Sequence, residues 1–248
     1  VASESLGGIH AVESILQRAP ASVQKLVLAQ SRNEKRLQSI LKIAAREGIA
    51  AERLDARELD RQFPQIRHQG VVAICRPVEP ISETQMQQLL AALDRPGFVL
   101  VLDGVTDPHN LGALLRSADA AGVDAVISPK DNSASITPVV RKVASGAADT
   151  VPFCPVTNLA RTLAELKDLG YWIYGAADEA SEPYTQPDYR GPVALVMGAE
   201  GSGLRRLTRQ HCDVLIGIPM AGAVSSLNVS VAAGVCLFEV VRQRNRAV

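Results

Sequence analysis

Residues 98–116 read Phe-Val-Leu-Val-Leu-Asp-Gly-Val-Thr-Asp-Pro-His-Asn-Leu-Gly-Ala-Leu-Leu-Arg. The unbroken apolar run Phe98–Leu102 predicts a strand buried on both faces, as in a parallel sheet. A helix is predicted next, over Leu111–Ala121, with Leu111, Leu114, Leu115 and Ala118 turned inward. The same strand-then-helix unit recurs downstream. Further strands are predicted at Ala125–Ser128, Val151–Cys154, Trp172–Ala176, Val193–Met197 and Val214–Ile218. Helices fall between them at Pro138–Ala147, Asn158–Leu169 and near Leu204–Gln210, with a last one at Leu227–Arg244. Six buried strands alternating with helices predict an open, doubly wound α/β sheet. In that architecture ligands sit at the carboxyl ends of the strands.

Upstream of Phe98 the elements are shorter. A helix is predicted over residues 8–18, with Ile9, Val12, Ile15 and Leu16 at helical spacing. Then come a strand at Lys25–Leu28 and a helix at Asn33–Arg46, whose inward face is Leu37, Ile40, Leu41 and Ala44 and which Gly48 ends. A strand at Ile49–Leu54, a helix opened by Asp55 and a strand at Gln69–Cys75 complete the set. Residues 1–76 are expected to form a small α/β domain of their own. The stretch from Arg76 to Glu83 carries two prolines and no periodicity, so a linker is expected at 77–87 and a second domain at 88–248. Ser82 and Gln85 form a capping-box pattern for a helix reaching Leu93. His68, ahead of the third strand, reads as a surface residue.

Lys and Arg together number 26, as do Asp and Glu, so the formal net charge is zero and a grossly basic nucleic-acid binder is excluded. The distribution is uneven. Residues 1–76 hold 12 basic against 8 acidic residues, and 77–248 hold 14 against 18. The N-terminal part is therefore the expected partner for a polyanion. No apolar run approaches the roughly 18 residues of a membrane span, and no basic flank precedes an apolar leader. Cys75, Cys154, Cys212 and Cys236 are scattered without metal-ligand spacing. They read as buried thiols in a reducing cytoplasm, and neither a metal nor a membrane is expected.

Three strand-end segments carry unusual polarity. In Asp103–Arg116 the arginine reads as lying near a helix start, against the dipole, where an anion such as a phosphate would explain it. An ion pair to Asp103, Asp107 or Asp119 would explain it equally. In Met197-Gly-Ala-Glu-Gly-Ser-Gly203 the glycines allow close backbone approach to a ligand, and Glu200 lies among them. The spacing matches neither the dinucleotide fingerprint nor a phosphate-binding P-loop. The third segment, Ile218–Ala233, crowds Ser225, Ser226 and Asn228 where a buried strand turns back into the core. Such residues either cap the following helix or bind something. Asn110, Arg116, Glu200, Ser226 and Asn228 together predict a ligand site at the strand carboxyl ends, without naming the ligand.

Three motifs carry a resemblance. Asp-Pro-x-Asn-x-Gly-x-x-x-Arg at 107–116, Gly-Ala-Glu-Gly-x-Gly at 198–203, and Ile-Pro-Met-x-Gly-x-Val-x-Ser-Leu-Asn-Val-Ser-Val-Ala at 218–232 resemble the signature motifs of the SpoU family. These are RNA ribose 2′-O-methyltransferases of the knotted SpoU–TrmD class. The resemblance spans the chain, with 1–76 similar to the family's ribosomal-protein-L30e-like RNA-binding domain. It implies a C-terminal α/β domain with a deep trefoil knot, S-adenosyl-L-methionine as cofactor and a homodimer that uses the last helix. Within the family the chain looks most like enzymes acting on a guanosine of 23S ribosomal RNA near the peptidyl-transferase centre. Transfer-RNA and resistance-type ribosomal-RNA methyltransferases share the motifs.

By the same resemblance Arg116, Asn110, Glu200, Asn228 and Ser226 are the expected catalytic group. Backbone around Gly198, Ile218 and Leu227, flanked by Met197 and Met220, would hold the cofactor. Arg116 would bind phosphate and steady a developing alkoxide, since a guanidinium is a poor general base. Asn110 and Asn228 would position Arg116 and the ribose, and Glu200 would orient that group or pair with Arg116. A non-catalytic RNA-binding assembly factor is disfavoured because these side chains are present, and a nicotinamide oxidoreductase because its fingerprint is missing.

Overall fold

The computed structural model describes residues 3–30 and 37–245, so the predicted helix residues 33–36 lie outside the described part. The chain divides into two compact units. One comprises residues 1–79 together with 136–150, and the other 80–135 together with 151–248.

The first unit is built on a four-stranded sheet of β1 (Glu4–Gly7), β2 (Val23–Ala29), β3 (Ala50–Leu54) and β4 (Val71–Cys75), in spatial order β1-β4-β2-β3. β2 and β3 are parallel, while β4 runs antiparallel to both β1 and β2. Helices α1 (Ile9–Arg18) and α2 (Gln38–Arg46) bury Val12, Ile15, Leu16, Ile40 and Ala44 against Leu26, Leu28, Val71 and Ala73 on one face. On the other, Leu59 of α3 (Ala56–Gln62) packs with Val27 and Val72. The period-2 alternation of β2 and β4 supplies both faces. Asp55 caps α3, accepting from the Arg57 amide at 2.9 Å. His68 is half-buried rather than on the surface. Its Nε2 meets Asp60 at 3.0 Å and its Nδ1 accepts from the Gly70 amide at 3.1 Å, tying the turn before β4 to α3.

The predicted helix at Pro138–Ala147 is two helices, α6 (Pro138–Ala144) and α7 (Ala147–Thr150), and both belong to this first unit. The break lies at Ser145 and Gly146, whose φ values of 51° and 91° are left-handed and end a helical run. Arg141 on α6 is 2% exposed. Its Nη1 donates to Glu4 at 2.8 Å and to the Arg76 carbonyl at 3.1 Å, and its Nη2 pairs with Asp149 of α7. Burial works against the Arg141 charge, but its hydrogen bonds to the Glu4 and Asp149 carboxylates outweigh it and hold the guanidinium above its ordinary value.

The second unit is a seven-stranded sheet. Its strands are β5 (Phe98–Asp103), β6 (Ala125–Pro129), β7 (Phe153–Val156), β8 (Trp172–Ala176), β9 (Glu182–Pro183), β10 (Val193–Gly198) and β11 (Val214–Gly217). They lie in the order β7-β6-β5-β10-β8-β11-β9, and every pairing is parallel. The third predicted strand is displaced by two residues, because Val151 and Pro152 complete the turn after α7. One face is covered by α4 (Glu83–Ala91) and α8 (Leu159–Asp168), through Met86, Leu90, Leu163 and Leu166. The full capping box of Ser82 and Gln85 starts α4. Thus the C-terminal half of the expected linker is a helix in the second unit's core.

The remaining long helices are α5 (Pro108–Ala121) and α10 (Val229–Asn245), which pack against each other, α10 also touching β10. A short helix, α9 (Arg206–His211), follows the β10 loop. Burial pushes the thiols of Cys75 and Cys154 up to about 11 and those of Cys212 and Cys236 up to about 12, so all four stay protonated near neutrality.

Replacing Arg141 by alanine would leave the Asp149 carboxylate buried without its partner. The expected loss is about 3–5 kcal/mol from the first unit, seen as a lowered urea midpoint.

Candidate active site

The ends of β8, β10 and β11 open on one cavity of about 530 Å³ in the second unit. That volume lies in the range of small-molecule sites. Its walls include Met197 and Gly198 at the end of β10, Glu200 after it, Ile218 and Met220 after β11, and Ser226, Leu227 and Asn228 before α10. All eight were expected from the sequence as site residues. Parallel strands cause this convergence, because every carboxyl end emerges on the same edge of the sheet.

The β10 loop is folded back on itself. Ala199 and Gly203 exchange backbone hydrogen bonds at 3.2 and 2.9 Å, and Gly201 and Gly203 sit at φ 78° and 63°. Gly198 is required for another reason. A Cβ there would lie 2.3 Å from the Gly203 carbonyl carbon and 2.6 Å from the Leu204 amide nitrogen, both immovable backbone. The glycines thus shape a compact loop that carries Glu200 to the cavity rim.

Asn228 joins the three motif segments. Its Nδ2 donates to Asn110 Oδ1 on α5 at 3.0 Å and to Glu200 Oε1 at 2.5 Å. Its Oδ1 accepts from the Ser230 amide at 3.0 Å and from the Ser230 hydroxyl at 2.6 Å, which makes Asn228 the N-cap of α10. Glu200 Oε1 also lies 3.5 Å from the Val229 amide, so a carboxylate faces the positive end of a 17-residue helix. The cap is therefore Asn228, not Ser225 or Ser226, and α10 starts at Val229 rather than Leu227. The loop itself is not buried as expected: Ser225, Ser226 and Asn228 are all exposed.

Arg116 departs most from expectation. α5 begins at Pro108, capped by Asp107, which accepts from the His109 amide at 2.9 Å. Arg116 is thus past the middle of the helix, and the dipole argument for an anion there does not apply. The side chain is exposed and forms no ion pair among the described residues. Asp103 is engaged instead by Arg205, whose amide it accepts at 2.8 Å. Arg116 does not line the cavity, and Glu200 pairs with Asn228 rather than with it. At the β8 end, which carries no site expectation from the sequence, Asp178 and Glu179 also line the cavity, and Glu179 pairs with Arg209 of α9. Their signal is a pair of adjacent acids one residue past a predicted parallel strand.

A cavity at the carboxyl edge of a parallel sheet, walled by a glycine loop and a helix start, defines an α/β domain of the cofactor-binding kind. Its sequence is more specific. The SpoU rRNA Methylase family pattern matches residues 97–238, and the RNA 2′-O ribose methyltransferase substrate-binding pattern matches residues 6–81. The chain belongs to the SpoU rRNA methylase family. It is 54% identical over 241 residues to the 23S rRNA (guanosine-2′-O-)-methyltransferase RlmB of Pseudomonas putida, covering 97% of each chain. To the protein of the same name from Escherichia coli it is 52% identical, covering 98% of this chain and 100% of the other. Its fold matches the SpoU methyltransferase AviRb from Streptomyces viridochromogenes, solved with AdoMet, at a TM-score of 0.76 and 22% identity. That match covers 98% of this chain and 91% of the other.

Because Asn228 is both cap and bridge, Asn228→Ala is expected to lose about 1 kcal/mol of stability, with Asn228→Ser recovering most of it. Urea titration of the two variants beside the parent measures this.

Proposed function

We propose that this protein methylates the ribose 2′-hydroxyl of a guanosine in 23S ribosomal RNA, with S-adenosyl-L-methionine as methyl donor. The observation that carries the reading is the hydrogen-bonded set Asn110–Asn228–Glu200, which draws three family motifs together at the rim of one cavity. Full-length similarity to proteins named as 23S rRNA (guanosine-2′-O-)-methyltransferases supports the choice of RNA and nucleoside.

The cavity fits the cofactor in its chemistry. It offers apolar wall from Met197, Ile218, Met220 and Leu227 beside the backbone of the glycine loop, suited to an adenosine with a polar tail. When bound, S-adenosyl-L-methionine supplies a methyl group activated by its sulfonium. The protein's task is then to hold the 2′-oxygen in line and to steady the charge that develops on it. Orientation of that kind supplies roughly 7–11 kcal/mol. Asn228, fixed by its own helix and by Glu200, orients the polar edge of the site together with Asn110. Arg116, exposed and free of protein ion pairs among the described residues, is suited to a phosphate of the guanosine and to the nascent alkoxide. Ser226, on the cavity wall, adds a hydroxyl near the ribose.

Residues 1–76, with their excess of basic side chains, hold RNA through its backbone. On α10, Val231 and Phe238 remain 53% and 49% exposed, one helical face apart by seven residues, and support a homodimer formed through that helix. No described helix is long and apolar enough to cross a membrane, and a cytoplasmic site of action follows from the substrate.

Incubating the protein with 23S ribosomal RNA and labelled S-adenosyl-L-methionine, then mapping the RNA by mass, tests the reading. One added methyl on the ribose of one guanosine is expected; no transfer, or transfer to a base, would overturn it. Arg116→Lys should slow single-turnover transfer about 10²–10³-fold, and a full rate would remove the bidentate role. Gly198→Ala, whose Cβ meets backbone, should weaken S-adenosyl-L-methionine binding about tenfold or more by calorimetry.

A further inference from the structure

A second cavity, of about 460 Å³, opens on the same sheet edge at the ends of β5, β6 and β7. β5 and β10 are adjacent, so it neighbours the first cavity within the second unit. Its lining differs in character. Lys130 and Arg206 are exposed cations without an ion pair among the described residues, and Arg205 adds a third, against Asp103 and Asp131. Leu159 and Ala160, the first two residues of the ten-residue α8, also line it. Their amides precede any intrahelical acceptor and have none among the described residues, whereas the third amide of the same turn, that of Arg161, is accepted by the Asn158 side chain at 3.1 Å. Free amides, a helix N-terminus and unpaired cations together suit a phosphate.

Asp103 is the independent observation. It is fully buried, and Oδ2 accepts the Arg205 amide at 2.8 Å. Oδ1 has no hydrogen bond, and its one partner is a long ion pair to Arg205 Nε at 3.6 Å. A buried carboxylate oxygen held only by a long ion pair at a cavity wall gains from a closer hydrogen-bond donor. Inorganic phosphate at neutral pH is a poor one, because Asp103 would repel it. A nucleotide supplies both halves, an anionic phosphate for the cations and amides and an N–H donor on its base for Asp103.

We infer that this cavity binds a nucleotide flanking the methylated one. The phosphate lies on Lys130, Arg206 and the Leu159 and Ala160 amides, and a base amino or imino group donates to Asp103 once the Arg205 side chain turns aside. The inference rests on the proposed RNA substrate and extends it along the strand. It makes this edge a second contact with RNA, separate from the basic N-terminal unit, and gives a reason for a buried acid in a domain that handles a polyanion.

The test uses the full chain and a 23S ribosomal RNA transcript. For Lys130→Ala combined with Arg206→Ala, the RNA KM should rise about tenfold and the slope of log affinity against log salt should fall by about 1. Affinity for S-adenosyl-L-methionine should stay at the parent value. Asp103→Asn, which keeps an acceptor for the Arg205 amide but replaces the free one by a donor, should weaken binding with a preference among bases at one flanking position. If the double variant binds RNA with the parent affinity and salt slope, the inference is overturned, even where Asp103→Asn fails to fold. If the parent itself transfers no methyl group to the RNA, the proposed function fails, an outcome readily told apart from loss of the subsite.

Discussion

A single amide side chain organises the candidate site. Asn228 spends one end on the first turn of α10 and the other on Asn110 and Glu200, so three segments remote in sequence become mutually dependent. The oxygen satisfies a helix N-terminus that would otherwise expose free donors. The nitrogen then has a fixed direction and two acceptors, one of them charged, which is the stronger kind of hydrogen bond. Moving α10 would disturb the glycine loop, and a change in that loop would be felt at α5. Rigid placement of this sort is what methyl transfer requires, because most of its catalysis is orientation.

The glycine loop meets the same constraint from the backbone side. Gly198 has no room for a side chain because the returning Gly203 peptide occupies it, and Gly201 and Gly203 adopt left-handed φ. A loop so tightly closed presents Glu200 at one height above the sheet. By contrast, the loop from Pro219 to Asn228 is largely exposed, and what fixes it is its two ends, the β11 strand and the α10 cap.

Segment 136–150 places a different demand on the chain. It departs from the large parallel sheet after β6, contributes two short helices to the smaller unit, and returns to form β7. Arg141 makes the excursion specific, since a buried guanidinium tolerates only partners that satisfy its charge. Hydrophobic periodicity in α6 could not reveal this. Val140 and Ala144 are buried as they would be against any core, and which core receives them is a question of shape and of Glu4, more than a hundred residues away.

Much was nevertheless legible in the residues themselves. The six main strands of the large sheet follow from their unbroken apolar runs, because a parallel strand buried on both faces leaves no polar position. The site's edge followed from the same pattern, since all carboxyl ends of parallel strands point one way. The capping box at Ser82 and the cap at Asp55 were local and therefore readable. Strands β1 and β9 were not read. At four and two residues they carry no period, and they exist only through pairing with β4 and β11. The sequence pattern places Arg116 too near the start of α5, because Pro108, His109 and Asn110 continue no apolar face yet are helical, their first turn being set by the Asp107 cap. Sequence by itself determined the strand–helix alternation, the motif residues and the kinship. Tertiary structure alone decided that Asn228 caps α10 while donating to Asn110 and Glu200, and that Asp103 keeps an unsatisfied oxygen. Such facts depend on distances between segments far apart along the chain, and those distances exist only once the sheet has brought its strand ends together.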